Sequence, residues 1–254
     1  MVLNTQGIVL RSIKYKENDL ILTIFSKTYG RVSAIARRAQ SPKSKLLSTS
    51  QLFSYNNYIL KKQGDMFTVY QSENIKSFYN ISMDIESYSY CSFITKLIEN
   101  NIEEGQAYIK LFDTYAKTLF LYSEGYKEKL YLLNIFLYKF IKFMGFEPHV
   151  SRCVSCNRTD YNYAAFSLEE GGIVCNECMN KEEFYIKIDQ TTISLMQYLS
   201  NNDIIVCSEA KVSNILVNEL FNLLKKYMNI HFERVDYTSL DMLKTIITST
   251  NIPI

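Results

Sequence analysis

Two Cys-x-x-Cys pairs constrain this chain more than any other feature of its sequence. Cys153 and Cys156 form the first pair, and Cys175 and Cys178 follow after eighteen intervening residues. This spacing is typical of sites in which four thiolates surround one Zn²⁺ as a tetrahedron. Since protein atoms would fill all four positions, the pattern predicts a structural zinc and not a catalytic one.

Two disulfides, or four unrelated thiols, are the alternatives to a metal. We favour the metal because thiols stay reduced inside a cell, and the start of the chain lacks the basic and apolar regions of a signal peptide. No segment has the uncharged apolar length of a membrane span. We therefore expect a cytoplasmic protein that does not contact a membrane. His149 is a less favoured ligand in place of one cysteine, and Cys91 and Cys207 are expected to be buried thiols.

The residues between the two pairs have the pattern of a small hairpin. Residues 163–168 read as one strand, 169–172 as the turn, and 173–174 lead into the second pair. Asn157 directly follows the first pair, where a left-handed backbone is often needed and asparagine tolerates it.

The first eighty residues contain five short β-rich runs and one long basic segment. The segment at 37–45 is polar and rich in breakers, so it is predicted to be a loop. The five runs are 6–13, 20–25, 31–36, 52–60 and 67–72. Five strands with one long loop fit a small closed barrel, for which the OB-fold is the leading candidate. A small open sandwich or an SH3-like barrel is the alternative.

Positive charge is concentrated in the same region. Residues 1–80 hold 12 Lys/Arg against 4 Asp/Glu, a balance of +8, whereas residues 81–254 hold 16 against 22, a balance of −6. Such an asymmetry indicates a first domain that binds a polyanion, joined to a mildly acidic remainder. A solvated basic face without a partner is the alternative.

From Ile81 onward the apolar period becomes that of a helix. The strongest helix is predicted at 127–144, where leucines and other apolar residues recur at steps of three and four, and Gly145 and Pro148 end it. The sequence therefore predicts an α+β protein. An N-terminal OB-fold barrel at 1–80 is followed by a helical domain at 81–254, in which the zinc module at 150–180 is embedded.

Several of these segments together resemble a known family. Similarity to the N-terminal OB domain of the RecO DNA-repair proteins is found in four segments, 7–11, 15–20, 25–31 and 37–45. Residues 137–156 are similar to the helix of that family that leads into its first cysteine pair. Two departures stand out. Residues 36–39, Ala-Arg-Arg-Ala, lack a glycine that the family usually has before the basic loop, and Asn157 replaces a usual glycine.

The resemblance implies a recombination mediator. Such proteins bind single- and double-stranded DNA and anneal complementary strands. With RecR they help to load RecA onto DNA coated by single-stranded DNA-binding protein. The resemblance thus implies three kinds of partner: DNA, RecR and the acidic tail of single-stranded DNA-binding protein. The C-terminal helices, such as residues 212–227, are candidates for docking them.

A DNA groove needs cations for phosphates and flat side chains for bases. The first domain offers nine candidate phosphate contacts, of which those in the loop 37–45 are favoured: Arg11, Lys14, Arg31, Arg37, Arg38, Lys43, Lys45, Lys61 and Lys62. Its candidate stacking residues, for which core packing is the favoured alternative, are Tyr15, Tyr29, Phe53, Tyr55 and Tyr58.

An enzymatic function has little support in the sequence. His149 and His231 are the only histidines, and neither has a plausible serine or cysteine nucleophile beside it. Neither phosphate-cradling glycine motif, Gly-x-x-x-x-Gly-Lys or Gly-x-Gly-x-x-Gly, occurs. We therefore expect no catalytic site and no small-molecule substrate. The remaining alternative to a DNA mediator is a zinc-stabilised protein-interaction scaffold without direct DNA binding.

Overall fold

The computed structural model of the chain describes residues 1–64, 66–160, 164–180 and 184–250. Packing divides the chain into two compact units, one of Met1–Lys127 with Asp236–Ile254 and one of Glu128–Val235. Among the described residues, no helix is both long enough and apolar enough to cross a membrane.

The first unit contains a closed five-stranded barrel, which confirms the predicted OB-like fold. Neighbouring strands around the barrel follow the order β1-β2-β3-β5-β4. The strands are β1 (Val2–Tyr15), β2 (Asp19–Ser26), β3 (Gly30–Ala36), β4 (Tyr55–Gln63) and β5 (Met66–Lys76). Most pairs are antiparallel, and a short parallel pairing of Ala34 and Ile35 with Phe67 and Thr68 closes the barrel.

Alternation of apolar residues directs one face of each strand into the barrel core. In β3, Val32, Ala34 and Ala36 are buried, and the residues between them are half-exposed. Several strand boundaries differ from the prediction: β1 begins at Val2 and not at residue 6, β5 runs on to Lys76, and β4 begins at Tyr55 and not at residue 52. The late start of β4 has a local cause. The reason is Phe53, which is buried with a left-handed φ of 65° and forms a turn that returns its N–H to the carbonyl of Val9.

Three helices pack in the same unit as the barrel: α1 (Ile85–Asn101), α2 (Ile109–Ser123) and α7 (Thr238–Thr250). The ring of Phe25 on β2 meets Phe112 on α2 edge-to-face at 5.2 Å, and Phe93 on α1 stacks on Tyr237 at 5.3 Å. Packing therefore joins these helices to the barrel, whereas the predicted domain boundary lies at residue 80. The domain boundary at residue 80 therefore stays a prediction.

The second unit surrounds one apolar helix. This unit contains α3 (Lys129–Phe143), α4 (Gln190–Asn201), α5 (Ile204–Ser208) and α6 (Asn214–His231). Its sheet has the order β7-β6-β8, with β6 (Ala164–Ser167), β7 (Gly172–Cys175) and β8 (Tyr185–Ile188). The helix α3 ends where the sequence indicates. Gly145 has a φ of 90°, and the N–H of Phe146 bonds to the carbonyl of Ile141 at 3.0 Å.

Candidate metal centre and nucleic-acid interface

The first cysteine pair lies on a tight turn. The N–H of Asn157 donates to the carbonyl of Cys153 at 2.9 Å, and the N–H of Cys153 donates to the carbonyl of Arg158 at 2.9 Å. Asn157 has a φ of 63°, the left-handed conformation expected at this position. The turn brings the sulfurs of Cys153 and Cys156 to one side of the chain.

The second pair is presented by a β-hairpin. Strands β6 and β7 pair from Ala164 with Cys175 to Ser167 with Gly172, so Cys175 ends β7. Tyr163, predicted to begin the first strand, lies outside the described residues. A Cβ on Gly172 would lie 2.6 Å from the carbonyl oxygen of His149 and 2.5 Å from a methyl of Val154, so this position admits only glycine without a shift. The hairpin thereby packs closely on the first turn.

The two turns bring all four cysteine sulfurs within 4.8 Å of one another. Sγ of Cys156 lies 3.7 Å from Sγ of Cys175. Sulfurs at the corners of a tetrahedron with metal–sulfur bonds of about 2.3 Å are about 3.8 Å apart, so the cluster can hold a metal ion after small adjustments. Cys153 and Cys175 are buried, Cys156 is exposed and Cys178 is half-buried.

The electrostatics of the cluster also favour a cation. Burial opposes ionisation of Cys153, but backbone N–H groups led by that of Cys175 outweigh it and lower the pKa of this thiol to about 6. The N–H of Cys175 lies 3.3 Å from the Cys153 sulfur. Hydrogen bonding to Cys156 and Cys175 and burial raise the pKa of Cys178 to about 12. Four thiolates at this separation repel one another, and a cation at their centre removes that cost.

His149 supports the metal site through hydrogen bonds of its backbone. Its N–H donates to the carbonyl of Gly171 at 2.8 Å, and its carbonyl accepts from Ile173 at 3.0 Å. Among the described residues, the group of metal-binding side chains near it consists of the four cysteines. The alternative in which His149 replaces one cysteine is therefore not needed.

Several predicted phosphate contacts lie around the tip of the β1–β2 hairpin. Lys14 pairs with Leu20, and Leu20 pairs with Ala36, so Lys14 and the start of the basic loop lie at the same end of the barrel. The predicted contacts on this hairpin and on the loop 37–45 are all exposed: Lys14, Arg37, Arg38, Lys43 and Lys45. Lys16, at the tip itself, is a further exposed cation. The N–H of Gln40 bonds to the carbonyl of Asn18 at 3.0 Å, which holds the loop to the hairpin.

Arg11 and Arg31 are instead joined to one glutamate of α1. Nε of Arg11 lies 2.7 Å from a carboxylate oxygen of Glu99, whose side chain is 8% exposed. Nη1 of Arg31 donates to the backbone carbonyl of Glu99 at 3.0 Å, and Lys96 pairs with the other carboxylate oxygen at 3.0 Å. No local sequence signal marks the contact of Glu99 with the two arginines, because Arg31 and Arg11 lie 68 and 88 residues away in the chain.

Lys61 and Lys62 lie near the end of β4 and point to opposite sides of it. Nζ of Lys61 stands 3.2 Å from the centre of the Tyr70 ring, a cation–π contact on the outside of the barrel. Lys62 is exposed and pairs directly with Phe67 of β5. The nine predicted cations therefore occupy three places: the hairpin tip, the Glu99 contact and the end of β4.

The candidate stacking residues differ in exposure. Phe53 and Tyr58 are buried, and burial raises the pKa of Tyr58 because the charged form is desolvated. Tyr55 is half-buried and donates to Gln6 at 2.7 Å. Tyr15 and Tyr29 retain surface exposure; Tyr15 lies at the hairpin tip, with the ammonium of Lys16 5.3 Å from its ring centre.

Comparison with known proteins places this barrel, basic surface and cysteine cluster among proteins of recombinational DNA repair. The model "Recombination protein O N terminal" matches residues 1–78, and "Recombination protein O C terminal" matches residues 82–241. The chain is 38% identical over 246 residues to the DNA repair protein RecO of Alkaliphilus metalliredigens, covering 97% of this chain and 100% of the relative. It is 31% identical over 244 residues to that of Acetivibrio thermocellus, covering 96% and 97%.

The chain therefore belongs to the RecO family of DNA repair proteins. This confirms the family resemblance that the N-terminal segments and the residues leading into the first cysteine pair indicate. The matched families and the names of these relatives describe DNA repair and recombination, without reference to an enzymatic activity.

Proposed function

We propose that this protein binds single- and double-stranded DNA, anneals complementary strands and acts as a recombination mediator. The observation that carries the proposal is the set of five predicted phosphate contacts, all exposed, on the β1–β2 hairpin and the loop 37–45 of the N-terminal barrel of a DNA repair family. Cations held on a small barrel can follow a phosphate backbone without reading its sequence. The protein has no catalytic role in this proposal.

The test is a salt titration of DNA binding. Wild type and a variant with Arg37, Arg38, Lys43 and Lys45 changed to alanine are titrated against a mixed-sequence single-stranded oligonucleotide, and binding is followed by fluorescence anisotropy. Each lost phosphate contact removes about 0.7 from the slope of log affinity against log salt for a single strand. The variant is expected to bind more weakly and to show a flatter slope.

A matched control removes four exposed lysines that lie outside the barrel. These are Lys110, Lys211, Lys226 and Lys244, all changed to alanine. The control loses the same net charge, so any effect of overall charge appears in both variants. An equal loss of affinity in the control, or an unchanged slope in the test variant, contradicts the proposed DNA surface.

A zinc-stabilised interaction scaffold without DNA binding is the second candidate function. It is favoured if wild type shows no salt-dependent affinity for DNA, because phosphate binding must weaken steeply as salt rises. Annealing of complementary oligonucleotides, followed by energy transfer between end labels, separates the two functions further. The scaffold would not accelerate annealing.

We also propose that the metal is one structural Zn²⁺ per chain, held by the cysteine cluster. Four sulfur ligands suit zinc, and a four-thiolate site leaves no open position for substrate. The proposed partners are RecR and the acidic tail of single-stranded DNA-binding protein, and the proposed location is the cytoplasm. Membership of the RecO family supports these proposals.

A further inference from the structure

The barrel has an open mouth next to the turn between β4 and β5. Every second residue of each strand faces the inside of the barrel. The last buried members of this side in β1, β4 and β5 are Leu3, Leu60 and Val69. Two positions further toward the mouth lie Met1, directly before β1, Lys62 in β4 and Phe67 in β5. An exposed lysine, an exposed methionine and a half-buried phenylalanine therefore end a row that is otherwise buried.

The adjoining seam of the barrel is paired over only two residues. Strand β3 pairs with β5 at Ala34 and Ile35, so Arg31 and Ser33 lie before the start of this parallel ladder. The N–H of Arg31 bonds to the carbonyl of Glu103 at 3.0 Å. On the side of Arg31 and Ser33, where β3 is not paired with β5, the mouth widens into a cleft of about 510 Å³. A cleft of this size is within the range that holds small-molecule ligands.

The walls of the cleft combine flat apolar side chains with cations. Half-buried Tyr29, Met66 and Phe67 line it, together with Arg31 and Lys62. The guanidinium of Arg31 bonds to the neutral backbone carbonyl of Glu99, so this bond leaves its charge in place. Glu104 also lines the cleft, and its negative charge is outnumbered by the two cations Arg31 and Lys62.

We propose that this cleft binds one nucleotide of a single-stranded nucleic acid. The base lies against Phe67, Tyr29 and Met66, and its phosphate is held by Lys62 and Arg31. Aromatic rings bind any base through its face, and cations beside them hold the backbone, which is how single strands are bound without sequence preference. This inference rests on the proposed DNA-binding function and adds a site for an unstacked base to the phosphate contacts of the hairpin tip.

The first test observes the cleft directly in the full protein. Methionine methyl groups are labelled with ¹³C, and the spectrum is recorded during addition of an oligothymidylate. Met1 and Met66 line the cleft, whereas Met83 and Met242 are exposed elsewhere and serve as internal controls. We expect the resonances of Met1 and Met66 to shift and those of Met83 and Met242 to stay. Assignment uses Met66→Leu and Met83→Leu.

The second test asks whether the base is recognised. Phe67→Leu keeps apolar bulk and removes the ring face, and it is expected to weaken binding of oligothymidylate by about tenfold, within the range for loss of one stacked base. The matched control is Tyr70→Leu, since Tyr70 is 62% exposed on the outside of the barrel. That control should bind like wild type. An oligonucleotide of the same length with abasic sites should bind both proteins equally.

The outcomes separate this inference from the proposed function. If oligothymidylate binds with steep salt dependence but Met1 and Met66 do not shift, the cleft proposal is overturned and DNA binding stands. Equal affinities of Phe67→Leu and Tyr70→Leu, or equal shifts with the abasic oligonucleotide, also overturn it. If an acidic peptide shifts the two methionines and DNA does not, the cleft is a peptide site. No binding of DNA at all contradicts both proposals.

Discussion

The backbone N–H of Arg38 donates a hydrogen bond of 2.8 Å to a carboxylate oxygen of Asp19. Arg38 has a φ of 53°, a left-handed conformation that costs a non-glycine residue about 1–2 kcal/mol. It lies in the run 36–39, where the family usually has a glycine. The hydrogen bond to Asp19 therefore stabilises a left-handed loop conformation that a glycine would adopt without strain.

Replacing Asp19 with alanine should destabilise the basic loop. The lost bond is exposed to solvent, so we expect the free energy of unfolding to fall by about 1 kcal/mol, as measured by urea titration. Glu17→Ala, at an exposed position of the same hairpin, is the control and should change little. Adding Arg38→Gly to Asp19→Ala should recover part of the loss, because glycine adopts the left-handed conformation without strain. Equal stability of Asp19→Ala and wild type would show that the bond does not support the loop.

Arg11 should contribute more to stability than to DNA binding. Its removal leaves the carboxylate of Glu99, whose side chain is 8% exposed, paired with Lys96 but without the guanidinium. We expect Arg11→Ala to lower the free energy of unfolding by about 1–3 kcal/mol, because a buried charge loses a partner. Lys14→Ala, an exposed lysine on the same strand, is the control and should be nearly neutral. In a double-mutant cycle with Glu99→Gln, additive effects of the two changes would exclude this coupling.

The metal should be measurable by its stoichiometry and its coupling to folding. We expect about one zinc per chain by elemental analysis, and loss of metal with reduced thermal stability in Cys175→Ser. Cys91→Ala is the control, since Cys91 is buried in α1 and is not one of the four clustered cysteines. Thiols must lose protons to bind zinc, so the affinity should rise with pH. Protein without zinc, or a fully stable Cys175→Ser variant, would exclude a structural metal.

Asp189 should contribute a pH-dependent share of the stability of the second unit. It caps α4, and hydrogen bonds led by that from the Thr191 hydroxyl lower its pKa below 3.8. A group whose pKa is lowered by folding stabilises the protein above its ordinary pKa, and this contribution is lost as pH falls through the lowered value. Asp189→Ala should cost about 1 kcal/mol at pH 7, and the difference from wild type should shrink below pH 4. A difference independent of pH would mean that the charge is not involved.

The mediator proposal requires partners as well as DNA. The protein is expected to co-elute with RecR from the same organism in size-exclusion chromatography. It should also bind a peptide with the tail sequence of the cognate single-stranded DNA-binding protein. A peptide of the same composition in scrambled order is the control for charge alone. Separate elution of the two proteins over a range of concentrations would count against a mediator.

The sequence by itself determined the local features of this protein. Thiol spacing places four ligands on two tight turns, alternation of apolar residues specifies the barrel strands, and Gly145 ends α3, because each depends on residues close together in the chain. Asn157 was likewise identifiable as a left-handed position. The basic segment at 37–45 could be recognised as a loop from its composition alone.

Only the tertiary structure decided what the cations do. The sequence favoured the four candidate cations of the loop 37–45 but did not distinguish the other five. In the structure, Arg11 and Arg31 are joined to Glu99, and Lys62 ends an inward-facing row at an open mouth. The packing of α7 in the same unit as the barrel is another such result. These relationships depend on contacts between residues far apart in the chain, and such contacts are fixed by the packing of the whole unit and not by any local pattern.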